Sequence, residues 1–135
     1  MALLRVEDLT ALVPGPGGAT ARKSPDQIPA VDQVSFVLPE GRTLGIAGET
    51  GCGKTTLALT LLRIHPAQSG TIYFAERPVL KMPDRRFRAL RGDLQMIFSH
   101  PNASFRPGWT VRRLFLEVLR LHQRELSRQE TRDRI

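Results

Sequence analysis

The chain has 135 residues, 41% of them apolar, with a formal charge of +7 and a pI of about 11.0. That length fits one domain or a piece of a larger one, and the apolar content excludes a disordered composition. A single cysteine, Cys52, excludes an internal disulfide, and no apolar run approaches the roughly 18 residues that span a bilayer, so a soluble cytosolic chain is expected. Arginine supplies 17 of the 20 basic residues. Such a charge suits nucleic acid, anionic lipid or nucleotide phosphate without choosing among them, and solvated arginine faces would give the same total. The N-terminal "MALLRVEDLT" meets acidic residues too soon for a secretory signal.

Taken in chain order, "LLRVEDL" predicts an opening strand. "VPGPGGATARKSPDQIP" is rich in Pro, Gly and small polar residues and predicts a surface loop. "AVDQVSFVLPEG" alternates, with Val34, Phe36 and Leu38 on one side and Ser35 and Val37 on the other, which predicts a half-buried strand ended by Pro39 and Gly41. "TLGIAG" predicts a buried strand, and "KTTLALTLLRI" a helix striped by Leu57, Leu61, Leu62 and Ile64 and closed by Pro66. "TIYFA" reads as another strand, "PDRRFRALR" as a basic helix with Phe87 and Leu90 three apart, and "LQMIF" as strand-like again. "TVRRLFLEVLRLH" predicts an amphipathic helix with Leu114, Val118 and Leu121 on one stripe. Ser127 and Glu130 form a capping-box pattern that starts one more helix.

The stretch "GIAGETGCGKTT", Gly45 to Thr56, carries the chemistry. Gly48, Gly53, Lys54 and Thr55 fit G-x-x-x-x-G-K-[ST]. Gly48, Gly51 and Gly53 let the main chain turn closely round phosphate oxygens. Successive N–H groups make a nest of partial positive charge, and the helix that starts near Lys54 adds its dipole. The candidate nucleotide-binding residues are Gly48, Glu49, Thr50, Gly51, Cys52, Gly53, Lys54, Thr55 and Thr56, with Lys54 reaching the β- and γ-phosphates and the Thr55 hydroxyl on Mg²⁺. Cys52 reads as a small tolerated side chain, because the loop works through its backbone. His65 and His122, at helix ends, read as surface residues.

Beyond the loop, "VDQVSFVLPEGRTLGIAGETGCGKTTLALTLLRIHPAQSGTIYFAERPV" and "RALRGDLQMIFSHPNASFRPGWTVRRLFLEVLRLH" resemble the N-terminal half of an ABC-type ATPase. The nearest pattern is that of ATP-binding subunits of dipeptide, oligopeptide and nickel importers. The resemblance implies an α/β P-loop NTPase fold: an antiparallel β-subdomain beside an incomplete RecA-like parallel α/β core. It implies that residues 1–135 are the N-terminal part of a nucleotide-binding domain. Within it, 14–29 would be a variable loop, 48–56 the P-loop, 94–109 the Gln-loop region and 111–135 the start of a helical subdomain. Further implications are ATP and Mg²⁺ as cofactors, integral-membrane permease subunits docking around Ser99 to Trp109, and a second ATP-binding subunit. The expected place is the inner face of the plasma membrane.

Departures from the family pattern are informative. The Gln-loop glutamine, a Mg²⁺ ligand in the family, aligns with Ser99, so Ser99 is a doubtful metal ligand with a shorter reach; Gln95 comes four residues too soon. His100 stands where an acid is usual, and Val13 where an aromatic would stack on adenine. No LSGGQ signature, Asp-Glu strand or switch histidine occurs within these residues. Negligible ATP hydrolysis by this stretch alone is therefore expected. Two other readings stay open at this point. A small P-loop phosphotransferase would use Arg85, Arg86, Arg88 and Arg91 as a lid. A nucleic-acid binder would need an aromatic platform interleaved with the basic runs, which the sequence does not show, so nucleic acid is not expected as a partner.

Overall fold

Four antiparallel strands frame the N-terminal part of the chain: β1 (Ala2–Pro14), β2 (Gln27–Pro39), β3 (Ser69–Phe74) and β4 (Arg77–Pro78), in the order β2-β1-β3-β4. They come from a computed structural model that describes residues 1–15, 27–99, 105–123 and 125–135. The chain divides into two units, Met1–Gln95 and Met96–Ile135.

β1 is the central strand, and its sequence explains an irregularity in it. Strict alternation from Val6 would point residues 8 and 10 at the core. Instead Val6, Leu9 and Ala11 are all buried. One extra residue is absorbed at Asp8, whose φ is +46°, with register shifts toward both neighbouring strands. This bulge re-aims Leu9 inward. Ser35 of β2 holds it, its hydroxyl accepting from the Asp8 N–H (2.8 Å) and donating to the Asp8 carboxylate (3.1 Å). Gly70 of β3 lies against the same kink at φ +94°; a Cβ there would sit 2.6 Å from the Asp8 carbonyl oxygen and 2.6 Å from the Leu9 Cα. No side chain fits that approach.

Both opening strands run longer than predicted. Pro14 pairs with Gln27, Val13 with Ile28 and Leu12 with Pro29, so the margins of the expected 14–29 loop are ladder. Antiparallel neighbours extend each other wherever register allows, and composition alone does not show this. Residues 16–26, the interior of that loop, lie outside the described residues. On β2, Val34 and Phe36 pack on the core while Val37 is 52% exposed, as the alternation predicts.

Helix α1 (Lys54–Leu61) and helix α2 (Asp84–Leu90) complete the first core. Leu57 of α1 and Phe87 and Leu90 of α2 are buried with Val6, Leu9, Ala11, Val31, Ile72 and Val79. Thr60 is fully buried, and its hydroxyl donates to the Thr56 carbonyl at 2.7 Å, so no polar atom is stranded. The helix stops at Leu61, short of the predicted Ile64. Arg63 takes φ +54°, and the N–H groups of Ile64 and His65 both turn back to the Leu59 carbonyl.

That early stop places Arg63 where it joins three segments. Its guanidinium donates to the carbonyls of Val79 (3.2 Å) and Met82 (2.8 Å), pairs with Asp84 (2.9 Å), and stacks 4.6 Å from the Phe87 ring centroid. Arg63→Ala is expected to lower unfolding stability by about 1–3 kcal/mol, since it leaves two carbonyls and a carboxylate without their donor. Arg63→Lys should recover less than half of that, because an ammonium cannot span the same fork. Chemical denaturation of the three chains measures both; an Arg63→Ala midpoint equal to the parent's would refute the assignment.

Two predicted strands are corrected. Residues 43–48 and 94–98 carry no strand pairing among the described residues. Leu44 and Ile46 are 42% and 49% exposed, and Ile97 is 96% exposed. An apolar run becomes a strand only when another strand completes its hydrogen-bond ladder, and no described segment does so here. The parallel part of the expected sheet is thus not formed among the described residues, whereas the antiparallel part is.

In the second unit, helix α3 (Val111–His122) begins where predicted, with the Thr110 hydroxyl accepting from the Arg113 N–H at 3.3 Å. Its apolar stripe is not buried: Val118 and Leu121 are 54% and 58% exposed. Helix α4 (Arg128–Asp133) carries the predicted capping box. Ser127 N–H donates to the Glu130 carboxylate (2.9 Å), and Glu130 N–H donates to the Ser127 hydroxyl (3.2 Å). The Ser127 side-chain and main-chain bonds, with Arg134 nearby, hold the Glu130 carboxyl below its ordinary pKa.

Candidate functional site

The glycine-rich turn leads from residues 43–48 into α1, and its glycines adopt the conformations that make a cradle. Gly51 and Gly53 have φ of +86° and +95°, and Gly53 is the left-handed residue that opens α1. Gly53 also lies against β2: a Cβ would fall 2.0 Å from the Ala30 carbonyl oxygen. The turn is therefore seated on the sheet at Gly53, the one of its glycines whose missing side chain lets β2 approach this closely. Leu57 is the first helical residue whose N–H finds a carbonyl, that of Gly53 at 2.8 Å. Among the described residues, nothing accepts from the N–H groups of Lys54, Thr55 and Thr56. These orphan donors converge at the positive end of the α1 dipole.

Lys54 supplies the charge. Its ammonium donates to the carbonyls of Gly48 (2.8 Å) and Glu49 (2.6 Å) and lies 3.4 Å from the Cys52 sulfur. The loop thus folds round its own lysine, and the cation sits inside the turn. Cys52 N–H donates to the Glu49 carbonyl at 3.3 Å, closing the turn from Glu49 to Cys52. The Thr55 residue is exposed on the first turn of α1. This set of N–H donors and one ammonium, with no carboxylate bonded to it, fits a polyanion such as a nucleotide phosphate chain.

The other predicted positions are scattered. Val13 is paired with Ile28 in the sheet and half-buried. Ser99 lies exposed in the second unit, and His100 is outside the described residues. Gln95 closes the first unit, its side-chain amide donating to the Gly92 carbonyl at 3.3 Å. His65 is not a free surface residue: its Nε2 lies 2.9 Å from the Leu12 carbonyl, tying the end of α1 to β1. His122 is exposed, as read. Sequence reasoning missed Arg63 altogether, because its partners are carbonyls 16 and 19 residues away. It also missed that three of the aromatic rings, those of Tyr73, Phe87 and Trp109, meet arginines in space. Arg5 stacks on Tyr73 (4.0 Å), and Arg106 and Arg113 flank Trp109 (5.0 and 4.4 Å). Rings already covered by the chain's own guanidinium groups are poor platforms for bases.

A family model described as ABC transporter matches residues 31–134. The chain belongs to the ABC transporter family. Curated ABC transporter relatives include the oligopeptide transport ATP-binding protein OppF of Escherichia coli K12, 40% identical over 111 residues, which are 82% of this chain and 33% of that one. The oligopeptide transport ATP-binding protein AppF of Bacillus subtilis is 36% identical over 121 residues, 89% of this chain and 36% of that one. The glutathione import ATP-binding protein GsiA of Escherichia coli O1:K1 is 38% identical over 120 residues, 89% of this chain and 19% of that one. This ABC transporter chain therefore spans about a third of the length of the oligopeptide-transport relatives it matches. Among solved structures, the dimeric structure of MJ0796, a bacterial ABC transporter cassette, superposes with a TM-score of 0.73 at 19% identity. That match covers 97% of this chain and 53% of MJ0796, and it speaks for the fold: a partial P-loop ABC domain. A post-hydrolysis form of the same cassette, bound to ADP and Pi, gives 0.73 at 18% identity.

Proposed function

We propose that this chain is part of the ATP-binding subunit of an ABC-type importer for peptides or nickel, in which ATP binding and hydrolysis drive transport through a membrane permease. The observation that carries the reading is the cradle itself: unaccepted N–H groups of Lys54, Thr55 and Thr56 beside the Lys54 ammonium. The oligopeptide and glutathione import functions printed for the relatives support peptides as the cargo. In this proposal residues 48–56 hold the phosphates of ATP, the Lys54 ammonium meets the β- and γ-phosphates, and the Thr55 hydroxyl takes one Mg²⁺ position. Ser99 takes the sequence position of the family's Gln-loop glutamine, and its hydroxyl has a shorter reach than a carboxamide. Bound Mg²⁺ would neutralise phosphate charge, and the orphan N–H groups would orient the phosphate chain.

The same proposal assigns residues 1–135 to the N-terminal part of a nucleotide-binding domain, with 94–109 as its Gln-loop region and 111–135 opening its helical subdomain. Its partners are integral-membrane permease subunits and a second ATP-binding subunit, at the inner face of the plasma membrane. Among the described residues no helix is long and apolar enough to cross a membrane, so membrane attachment in this proposal runs through the permease.

Calorimetric titration of the chain with ATP and Mg²⁺ tests the central step. Saturable one-to-one binding that weakens when Mg²⁺ is chelated is expected. Thr55→Val should keep nucleotide binding and lose most of the Mg²⁺ enhancement, since a methyl replaces the only ligand atom assigned to the metal in α1. Absence of a saturable signal, or a Mg²⁺ response unchanged in Thr55→Val, would overturn the assignment.

A further inference from the structure

We propose that the groove between the β4–α2 connection and helix α2 binds a small amphipathic organic anion: a carboxylate head on an apolar body. The groove encloses about 520 Å³, within the roughly 300–1,000 Å³ of ordinary ligand pockets. Its wall carries Arg77, Lys81 and Arg86, and its apolar lining includes Met82, Ala89 and Leu90. The chain segment that supplies the lining is itself strongly basic. Residues 77–91 hold six basic side chains (Arg77, Lys81, Arg85, Arg86, Arg88 and Arg91) and one acid, Asp84, a net +5 within a chain of +7.

The two acids next in sequence to lining residues, Glu76 and Asp84, are engaged elsewhere. Asp84 pairs with Arg63 at 2.9 Å, and Glu76 faces Arg5 at 3.6 Å. Among the described residues, no carboxylate pairs with Arg77, Lys81 or Arg86. Three unneutralised cations round one concavity repel each other and attract an anion. A compact inorganic anion would leave the apolar lining wet, and a neutral hydrocarbon would leave the cations unmatched. A ligand with both parts satisfies both. Single-stranded nucleic acid fits less well, because no aromatic side chain lines the groove on which a base could stack.

The test uses the full chain with octanoate, butanoate and acetate as probes, followed by amide chemical shifts. Octanoate should bind saturably, with shifts centred on residues 77–90. Because each methylene withdrawn from water adds affinity, octanoate should exceed butanoate by about tenfold or more. Acetate should be too weak to saturate, since an exposed ion pair alone contributes little. The triple variant Arg77→Glu, Lys81→Glu, Arg86→Glu changes only exposed residues and should abolish the octanoate response. A charge-matched control, Arg120→Glu, Arg128→Glu, Arg132→Glu, should keep it. Shifts centred on α3, equal affinity for acetate and octanoate, or equal loss in both triple variants would each overturn the proposal. So would binding of phosphatidylglycerol vesicles that depends on the three rim residues while octanoate does not bind, which would make the patch a membrane contact instead.

Discussion

Gly53→Ala is expected to destabilise the first unit by about 2–6 kcal/mol, whereas Gly51→Ala, two residues earlier, should cost only about 1–3 kcal/mol. Both glycines hold positive φ, +95° and +86°, so both substitutions carry the strain of a side chain in the left-handed region. Only Gly53 adds a collision. A methyl group there would lie 2.0 Å from the Ala30 carbonyl oxygen, and that oxygen belongs to the backbone of β2, which cannot swing aside as a side chain can. At Gly51 nothing lies within 4 Å of the added carbon. Either the turn lifts off the sheet or β2 bends. In the first case the N–H groups of Lys54 and Thr55 lose their common direction. Gly53→Ala should therefore also weaken ATP binding more than its loss of stability explains, measured below the unfolding transition. Equal destabilisation by the two substitutions would show that the close approach to Ala30 is not a constraint in solution.

The second large effect concerns Lys54. Replacing it by alanine should weaken ATP–Mg²⁺ binding by about 10- to 150-fold, the factor that corresponds to losing charge-assisted hydrogen bonds of about 1.5–3 kcal/mol. Stability of the nucleotide-free chain should fall much less. Although the ammonium bridges the carbonyls of Gly48 and Glu49, both residues are exposed, and water can replace the lysine there. Affinity and stability thus separate: a residue that only braced the turn would move the two together. The octanoate response of the α2 groove should be untouched by Lys54→Ala, which keeps failure of one anion site distinguishable from failure of the other. ATP affinity unchanged in Lys54→Ala would remove the phosphate cradle from the account of this chain.

Much of the fold was legible because its signals are local. The positive φ at Gly51 and Gly53 follows from a glycine pattern read over six residues, and the Ser127–Glu130 cap from two residues three apart. Helices α2 and α3 follow from apolar spacing, down to burial of Phe87 and Leu90. The candidate cradle was legible for the same reason, since its donors are consecutive main-chain groups. What escaped were relations between distant residues. The bulge at Asp8 needs Ser35 and Gly70 to hold it. The role of Arg63 needs a chain reversal that brings Val79, Met82 and Asp84 to one guanidinium.

By itself, then, the amino-acid sequence determined where the chain turns, which segments are helical, which face of β2 looks inward and which glycines take the left-handed turn before α1. Short-range sterics and side-chain periodicity decide those matters within a few residues. Tertiary structure alone decided which apolar runs became strands. "TIYF" joined a ladder beside β1, while "TLGIAG" and "LQMIF", equally apolar, pair with no strand among the described residues. The physical reason is that a strand's hydrogen bonds are all made to some other strand, so an apolar pattern is only an offer that a neighbour must complete.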